Sequence, residues 1–316
     1  MHYSPAPMHI PDGFLSLVVS IFFWAISAIV IALAIKNINK ELDEKQIPLM
    51  GILAAAIFAG QMLNFSVTGG TSGHLLGAAL ATILLGPWPA VIVMTAVVST
   101  QAIIFQDGGI LALGANLFNM AVLGVFVSYA VYRIIHKLAK GKSWGIFTGS
   151  AIAAWTSIFI ASLSAAIMLA LSGTSPANIA IPAMAAIHAI IGIGEAIITI
   201  GAVSFLYAVR KDLFQHVDAP HNNTGPILVG GAVFTIALAI LSPLASAHPD
   251  GLEWVAEEHG FLAAARDSVY QIIPDYVLPG IQNEAMATIF AGIIGSILVF
   301  FVAFFTARAR KQRKSA

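Results

Sequence analysis

Long apolar runs separated by short polar stretches recur along almost the whole chain. Most approach the roughly 20 residues of helix that cross a bilayer core. They predict helices over residues 14–35, 47–67, 74–85, 90–105, 110–135, 144–171, 179–209, 227–247 and 285–306. The third run is short, begins at the end of Thr68-Gly69-Gly70-Thr71-Ser72-Gly73-His74, and stops at Gly86-Pro87-Trp88-Pro89. A glycine-rich loop before a run broken by proline predicts irregular backbone lining a protein cavity. A polar stretch over residues 212–226, with Asp218, Pro220, His221, Asn222 and Asn223, marks a boundary between modules. The expected fold is an all-α polytopic membrane protein of about nine transmembrane helices, a seven-helix bundle followed by a two-helix module.

Charge adds an orientation. Fourteen of the fifteen Lys and Arg fall in the turns after the first, fifth and seventh runs or in the tail, and only Arg266 lies elsewhere. The positive-inside rule puts those pieces in the cytoplasm, with the N-terminus outside and the C-terminus cytoplasmic. The first run lacks both a basic stretch before it and a small-residue cleavage site leading to a soluble domain, so it reads as a spanning helix and not a removed signal. At 59% hydrophobic and 9% charged residues, with a mean hydropathy of +0.89, the sequence leaves too little polar chain for a large soluble domain. Acidic and basic residues balance, which argues against a nucleic-acid partner. The absence of cysteine leaves imidazole, carboxylate, amide and backbone groups as candidate ligands.

Two histidines then stand out. His9 lies in Met8-His9-Ile10-Pro11-Asp12-Gly13-Phe14 at the mouth of the first run, and the topology puts His74 on the same outer side. Neutral imidazole suits nickel, cobalt, copper and zinc. In a chain starting at Met8, the free amine, the amide and imidazole of His9, and His74 would make a four-nitrogen plane suited to nickel(II) or copper(II). The alternative is an interfacial His9 and a His74 that merely opens a helix. Ser72, Gln101 and Asn116 are candidates to support such a site, Gln101 and Asn116 serving either to orient imidazoles or to join helices. His188 and Glu195, seven residues apart on one helix face, are either a proton relay or a buried structural pair. Seven acids between Asp250 and Glu284, against Arg266 alone, either concentrate cations or form a solvated amphipathic loop. His2, His136, His216 and His221 have surface roles by default. No metalloprotease, serine-hydrolase, phosphate-loop or dinucleotide signature is present, so any ATPase must be another chain.

Met8-His9-Ile10-Pro11-Asp12-Gly13-Phe14, Gly69-Gly70-Thr71-Ser72-Gly73-His74-Leu75, Leu85-Gly86-Pro87-Trp88 and Gly114-Ala115-Asn116 resemble the CbiM/NikM substrate-capture component of energy-coupling factor cobalt/nickel transporters. His248-Pro249-Asp250-Gly251-Leu252-Glu253 resembles the PDGLE motif of the small CbiN/NikN component. The resemblance implies an extension over 1–7, a capture domain over 8–211, a cytoplasmic linker over 212–226 and a PDGLE module over 227–316 that assists loading. It implies Ni²⁺ or Co²⁺ as transported substrate, ligated by Met8, His9 and His74, in a prokaryotic cell membrane. The implied partners are a transmembrane coupling subunit, cytoplasmic ABC-type ATPase subunits and membrane lipid, with no nucleic acid. Residues Met1 to Pro7 depart from the family pattern, because they would convert the Met8 amine to an amide. Other readings are an ATP-independent metal carrier or channel, and an intramembrane metalloenzyme using His74, His188 and Glu195.

Overall fold

The computed structural model describes residues 8–41, 46–214 and 225–315, so the extension Met1 to Pro7, Lys45 and the greater part of the expected linker lie outside the described residues. The chain begins with α1 (Leu17–Glu41) and α2 (Ile47–Gln61), then a small hairpin of β1 (Phe65–Val67) and β2 (Thr71–Gly73). There follow α3 (Ala78–Leu85), α4 (Pro87–Ile104), α5 (Leu113–Leu117), α6 (Gly124–Leu138), α7 (Ser143–Ser172) and α8 (Ala177–Val209). The remainder is α9 (Gly225–Leu241), a short α10 (Gly251–Glu258) and α11 (Glu284–Ser315).

Among the described residues, seven helices are long and apolar enough to cross a membrane. The expected second span is the 15-residue α2, about 22 Å at 1.5 Å per residue, and so shorter than a bilayer core of about 30 Å. The second run was expected to stay helical to residue 67, but its end is strand β1, paired with β2 in the register Phe65 to Gly73. Gly69 and Gly70 take φ of +100° and +83° and make that turn. The expected third span is the eight-residue α3. It is split from α4 by Gly86 at φ 81°, ψ 172°, a conformation open in practice only to glycine. Pro87 then opens α4, where a missing N–H costs nothing. The fifth run was expected to be one regular helix; a π-helical stretch, Phe118–Leu123, joins α5 to α6.

Side chains such as Leu17, Val18 and Phe22 on α1 and Val229, Val233 and Phe234 on α9 face outward, as the lipid side of a span requires. The α9 and α11 helices pack against α2. A Cβ on Gly51 would lie 2.8 Å from the Phe300 ring, and one on Gly295 would lie 2.2 Å from the Phe58 ring, so each glycine receives an aromatic ring from the facing helix.

Candidate metal site

The N-terminal stretch is fixed from both sides of His9. Asn116 clasps Ile10, accepting from its N–H at 3.1 Å and donating to its carbonyl at 3.0 Å. Asp12 accepts from the N–H groups of Ile110 at 3.1 Å and Ala112 at 3.0 Å. These bonds run between the chain start and the loop joining α4 to α5. In that loop, Asp107 presents Oδ1 to two nitrogens at once: the Met8 N–H donates at 2.8 Å and His9 Nδ1 lies 2.9 Å away. The other carboxylate oxygen of Asp107 accepts from the Tyr276 hydroxyl at 2.5 Å. Met8, His9, Asp107 and Tyr276 are all buried.

His74 arrives from the hairpin side. Its Nδ1 faces the carbonyl of Leu75 at 3.1 Å, and its ring also meets the Met8 backbone. The backbone just beyond is clamped from two helices. Glu195 of α8 accepts from the N–H groups of Leu76 at 2.7 Å and Gly77 at 3.1 Å, while Gln61 of α2 donates to the Leu76 carbonyl at 2.9 Å. The rings of His9 and His74 are 5.8 Å apart between centres and tilted by 52°. With metal–nitrogen bonds of about 2 Å, two imidazoles sharing one ion have centres roughly 4.5 Å apart when adjacent in the coordination plane and roughly 6 Å apart when opposed, so these rings lie near the reach of one ion.

Both rings line a cavity of about 80 Å³ together with Met8, Asn116, His188 and Asp250. Neither ring nitrogen of His9 has a partner in good hydrogen-bond geometry among the described residues, Nδ1 meeting Asp107 as an ion pair. Among those residues no cluster of three or more His, Asp or Glu side chains is placed to hold a metal, so an ion at His9 and His74 needs backbone nitrogens to complete its shell.

Burial lowers the pKa of His9, but the charge and hydrogen bond of Asp107 outweigh burial and hold it above the ordinary histidine value. Asp107 answers in the opposite sense: burial alone would raise it, and His9, Tyr276 and the Met8 N–H keep it low. Burial and the neighbouring His9 push His74 down to about 4, so its imidazole is neutral and ready to ligate at any ordinary pH.

The supporting residues are distributed differently from the sequence expectation. Asn116 holds the Ile10 backbone next to His9, and not either imidazole. The Gln101 side chain is buried beside Tyr276, and the backbone carbonyl of Gln101 accepts from the Asp107 N–H at 3.1 Å. Ser72 turns away from the imidazoles and binds the loop over residues 248–284: its N–H donates to the Pro249 carbonyl at 2.8 Å and its hydroxyl to the His248 carbonyl at 2.9 Å. His188 and Glu195 do not work as a pair. His188 Nδ1 faces the Met184 carbonyl at 2.9 Å, and Glu195 serves the loop behind His74. Asp107 and Tyr276 were passed over in the sequence; the signal available for Asp107 was its place in a glycine turn between two apolar runs.

Nor is the loop over residues 248–284 a solvated appendage. Asp250 pairs with Ser72 and Arg266 with Asp12 as β-bridges. The N–H groups of Ile273 and Asp275 donate to the carbonyls of Ile104 and Phe105 at 3.0 and 3.1 Å. Asp250 also caps α10, accepting from the Glu253 N–H at 2.7 Å. Burial, with the repulsion of Glu253 and Asp107 added, pushes the Asp250 carboxyl up to about 7. The next residue, Gly251, fits against α8: a Cβ there would lie 2.7 Å from Ile191 and 2.9 Å from His188. Gly251→Val is expected to cost about 1–3 kcal/mol by overpacking, seen as a lower thermal unfolding midpoint in detergent and faster proteolysis of this loop.

The family description "cobalt uptake substrate-specific transmembrane region" matches residues 9–213, and the PDGLE domain matches residues 225–312. A putative fused nickel transport protein of Archaeoglobus fulgidus is 37% identical over 300 residues, which cover 94% of this chain and 97% of that protein. A fused nickel transport protein of Rhodobacter capsulatus is 29% identical, covering 92% of this chain and 95% of that protein. The crystal structure of a truncated transition metal transporter is similar with a TM-score of 0.58 at 40% identity, covering 64% of this chain and 99% of that one.

Proposed function

Because the chain is a multi-pass membrane protein that belongs to the family of cobalt uptake substrate-specific transmembrane regions and carries a PDGLE domain, we propose that it captures Ni²⁺ or Co²⁺ on the outer side for an ATP-driven transporter. The observation that carries this reading is the meeting of His9 and His74 across one small cavity, 5.8 Å apart. The relatives' names, which speak of nickel and metal transport, support the substrate class. The proposed ligands are the Met8 nitrogen, the amide and Nδ1 of His9, and the His74 imidazole. Nδ1 and the amide of one histidine close a compact chelate ring, so ligation there requires Asp107 Oδ1 to give way to the ion. Nine spans, an outer N-terminus and a cytoplasmic C-terminus belong to the same proposal, as do a membrane coupling subunit and cytoplasmic ATPase subunits.

Equilibrium dialysis of the purified protein with Ni²⁺ and Co²⁺ tests the reading, with one ion per chain expected. N-terminal sequencing tests the full nitrogen set, which requires a free amine at Met8. Uptake undiminished in cells lacking any co-expressed ATPase would favour an ATP-independent carrier instead.

The site also predicts a pH profile. Ligation needs a neutral His9, so affinity rises with pH through its pKa and is lost as pH falls below it. Since Asp107 holds His9 above the ordinary value of 6.5, the loss should begin above pH 6.5, while His74, at about 4, stays neutral through that range. Asp107→Asn removes the carboxylate that opposes burial and should move the midpoint to lower pH. Ni²⁺ titrations across pH in the two proteins read this shift; an unmoved midpoint would show that His9 protonation does not limit binding.

A further inference from the structure

Three imidazoles line the cavity between the N-terminal stretch and α8, and the capture reading uses two of them. The third, His188, projects from α8 on the face it shares with Met184 and Ile191. Its Nδ1 lies 2.9 Å from the Met184 carbonyl. A carbonyl can only accept, so the proton of the neutral ring is on Nδ1 and the lone pair on Nε2. Metal-ligating histidines are commonly held in this way, the far nitrogen donating to a backbone carbonyl. The ring is also fixed from the side: a Cβ on Gly251 would lie 2.9 Å from His188 Cε1, so only glycine backbone can approach it so closely.

The position of His188 on the cavity wall differs from that of His9. Of all the lining residues, only His74 and His188 are incompletely buried, so the accessible edge of the cavity runs past these two rings. They are near enough for their charges to act on each other. The rest of the wall from α7 and α8 is apolar apart from Ser162, whose hydroxyl turns back to the Phe159 carbonyl at 2.8 Å. Across from it, the buried Asn119 belongs to the π-helical stretch, a distortion frequent at functional sites. Its amide donates to Met168 Sδ at 3.6 Å, and its Oδ1 has no partner among the described residues. A buried carbonyl oxygen without a donor marks a demand for a cation or a donor on this side of the cavity.

An ion crossing an apolar wall loses its water at a cost in free energy, and a lone-pair donor along the way lowers that cost. Such a donor must hold the ion well enough to admit it and weakly enough to let it go. We propose that His188 is a transit ligand: its Nε2 takes the divalent ion at the edge of the cavity, passes it to His74 and His9, and receives it again on release. The step is a ligand exchange in which Nε2 replaces one water of the ion and is then replaced by a nitrogen of the resident site; Nδ1 keeps its proton throughout. This rests on the capture reading above and adds to it a route and a function for His188.

A transit ligand changes the rates of binding and release together and leaves the equilibrium alone. Stopped-flow association of Ni²⁺ with the purified full chain, and release of bound Ni²⁺ into excess chelator, read the two rates; dialysis reads the equilibrium. His188→Leu should slow both about tenfold, the effect of roughly 1.4 kcal/mol on a barrier, with the dissociation constant unchanged. His188→Met has nearly the same volume as His188→Leu but restores a lone pair on sulfur, and should recover most of the lost rate. Equal slowing by the two variants would make the role one of shape and overturn the proposal, as would unchanged rates in His188→Leu. Faster release with weaker equilibrium binding in His188→Leu would make His188 a resident ligand and overturn transit, while leaving capture intact. A wild-type chain that binds no Ni²⁺ at equilibrium would instead overturn the capture reading and the transit role with it.

Discussion

His74→Ala is expected to abolish nickel and cobalt capture, lowering affinity by at least about a hundredfold. Structural metal sites with four protein ligands hold their ion with about 10–16 kcal/mol. One ligand's share is then about 3 kcal/mol, or about a hundredfold in dissociation constant. In this protein the loss should be at the upper end, because among the described residues no third His, Asp or Glu completes a cluster with His9 and His74. His188 lines the same cavity, but its Nδ1 faces the Met184 carbonyl. The fold should survive the change: His74 is only partly buried, and the loop around it is held by Glu195, Gln61 and the β-pairing. Isothermal titration with Ni²⁺, beside a thermal unfolding curve, separates lost ligation from lost structure. Wild-type affinity in a folded His74→Ala protein would remove this histidine from the site.

The second large effect is expected at Glu195, which touches no proposed ligand. Its carboxyl oxygens take the N–H groups of Leu76 and Gly77, immediately beyond His74, at 2.7 and 3.1 Å. Glutamine in its place offers one acceptor and one donor, so one of the two N–H groups would face another donor inside the bundle. A buried group left unsatisfied costs about 1–3 kcal/mol. In lipid, no solvent stands ready to replace the lost partner. Glu195→Gln should therefore lower the unfolding midpoint, and by loosening the His74 loop it should weaken Ni²⁺ binding about tenfold to a hundredfold, the usual cost of removing a support behind a metal ligand. The stoichiometry at saturation should remain one ion per chain. A variant that unfolds earlier yet binds with wild-type affinity would confine Glu195 to a structural role.

These two residues differ in how far the sequence disclosed them. His74 announced itself through composition: a histidine in a glycine-rich interruption, on the outer side by the count of basic residues. Glu195 was visible as an acid within a span, and spacing suggested His188 as its partner. Spacing along one helix reports only which residues share a face. It does not report what the facing loop offers, and here the loop offered two backbone N–H groups from residues 118 and 119 positions away. The loop over residues 248–284 shows the same limit. Its acids are plain in the sequence, but its docking depends on Gly251 sitting against α8 and on Ser72 receiving His248 and Pro249.

What the sequence determined by itself is what free energy fixes locally. Apolar runs must leave water, and prolines and glycines must end them, so the helical spans and the break at Gly86 follow from the order of residues. The tertiary structure alone decided which distant groups share a low-dielectric space. The convergence of Met8, His9 and Tyr276 on Asp107, across separations of up to 169 residues, is set by how the helices rotate and approach where glycine and aromatic side chains interlock. That approach is a property of packing summed over many weak contacts, and no local pattern along the chain encodes it.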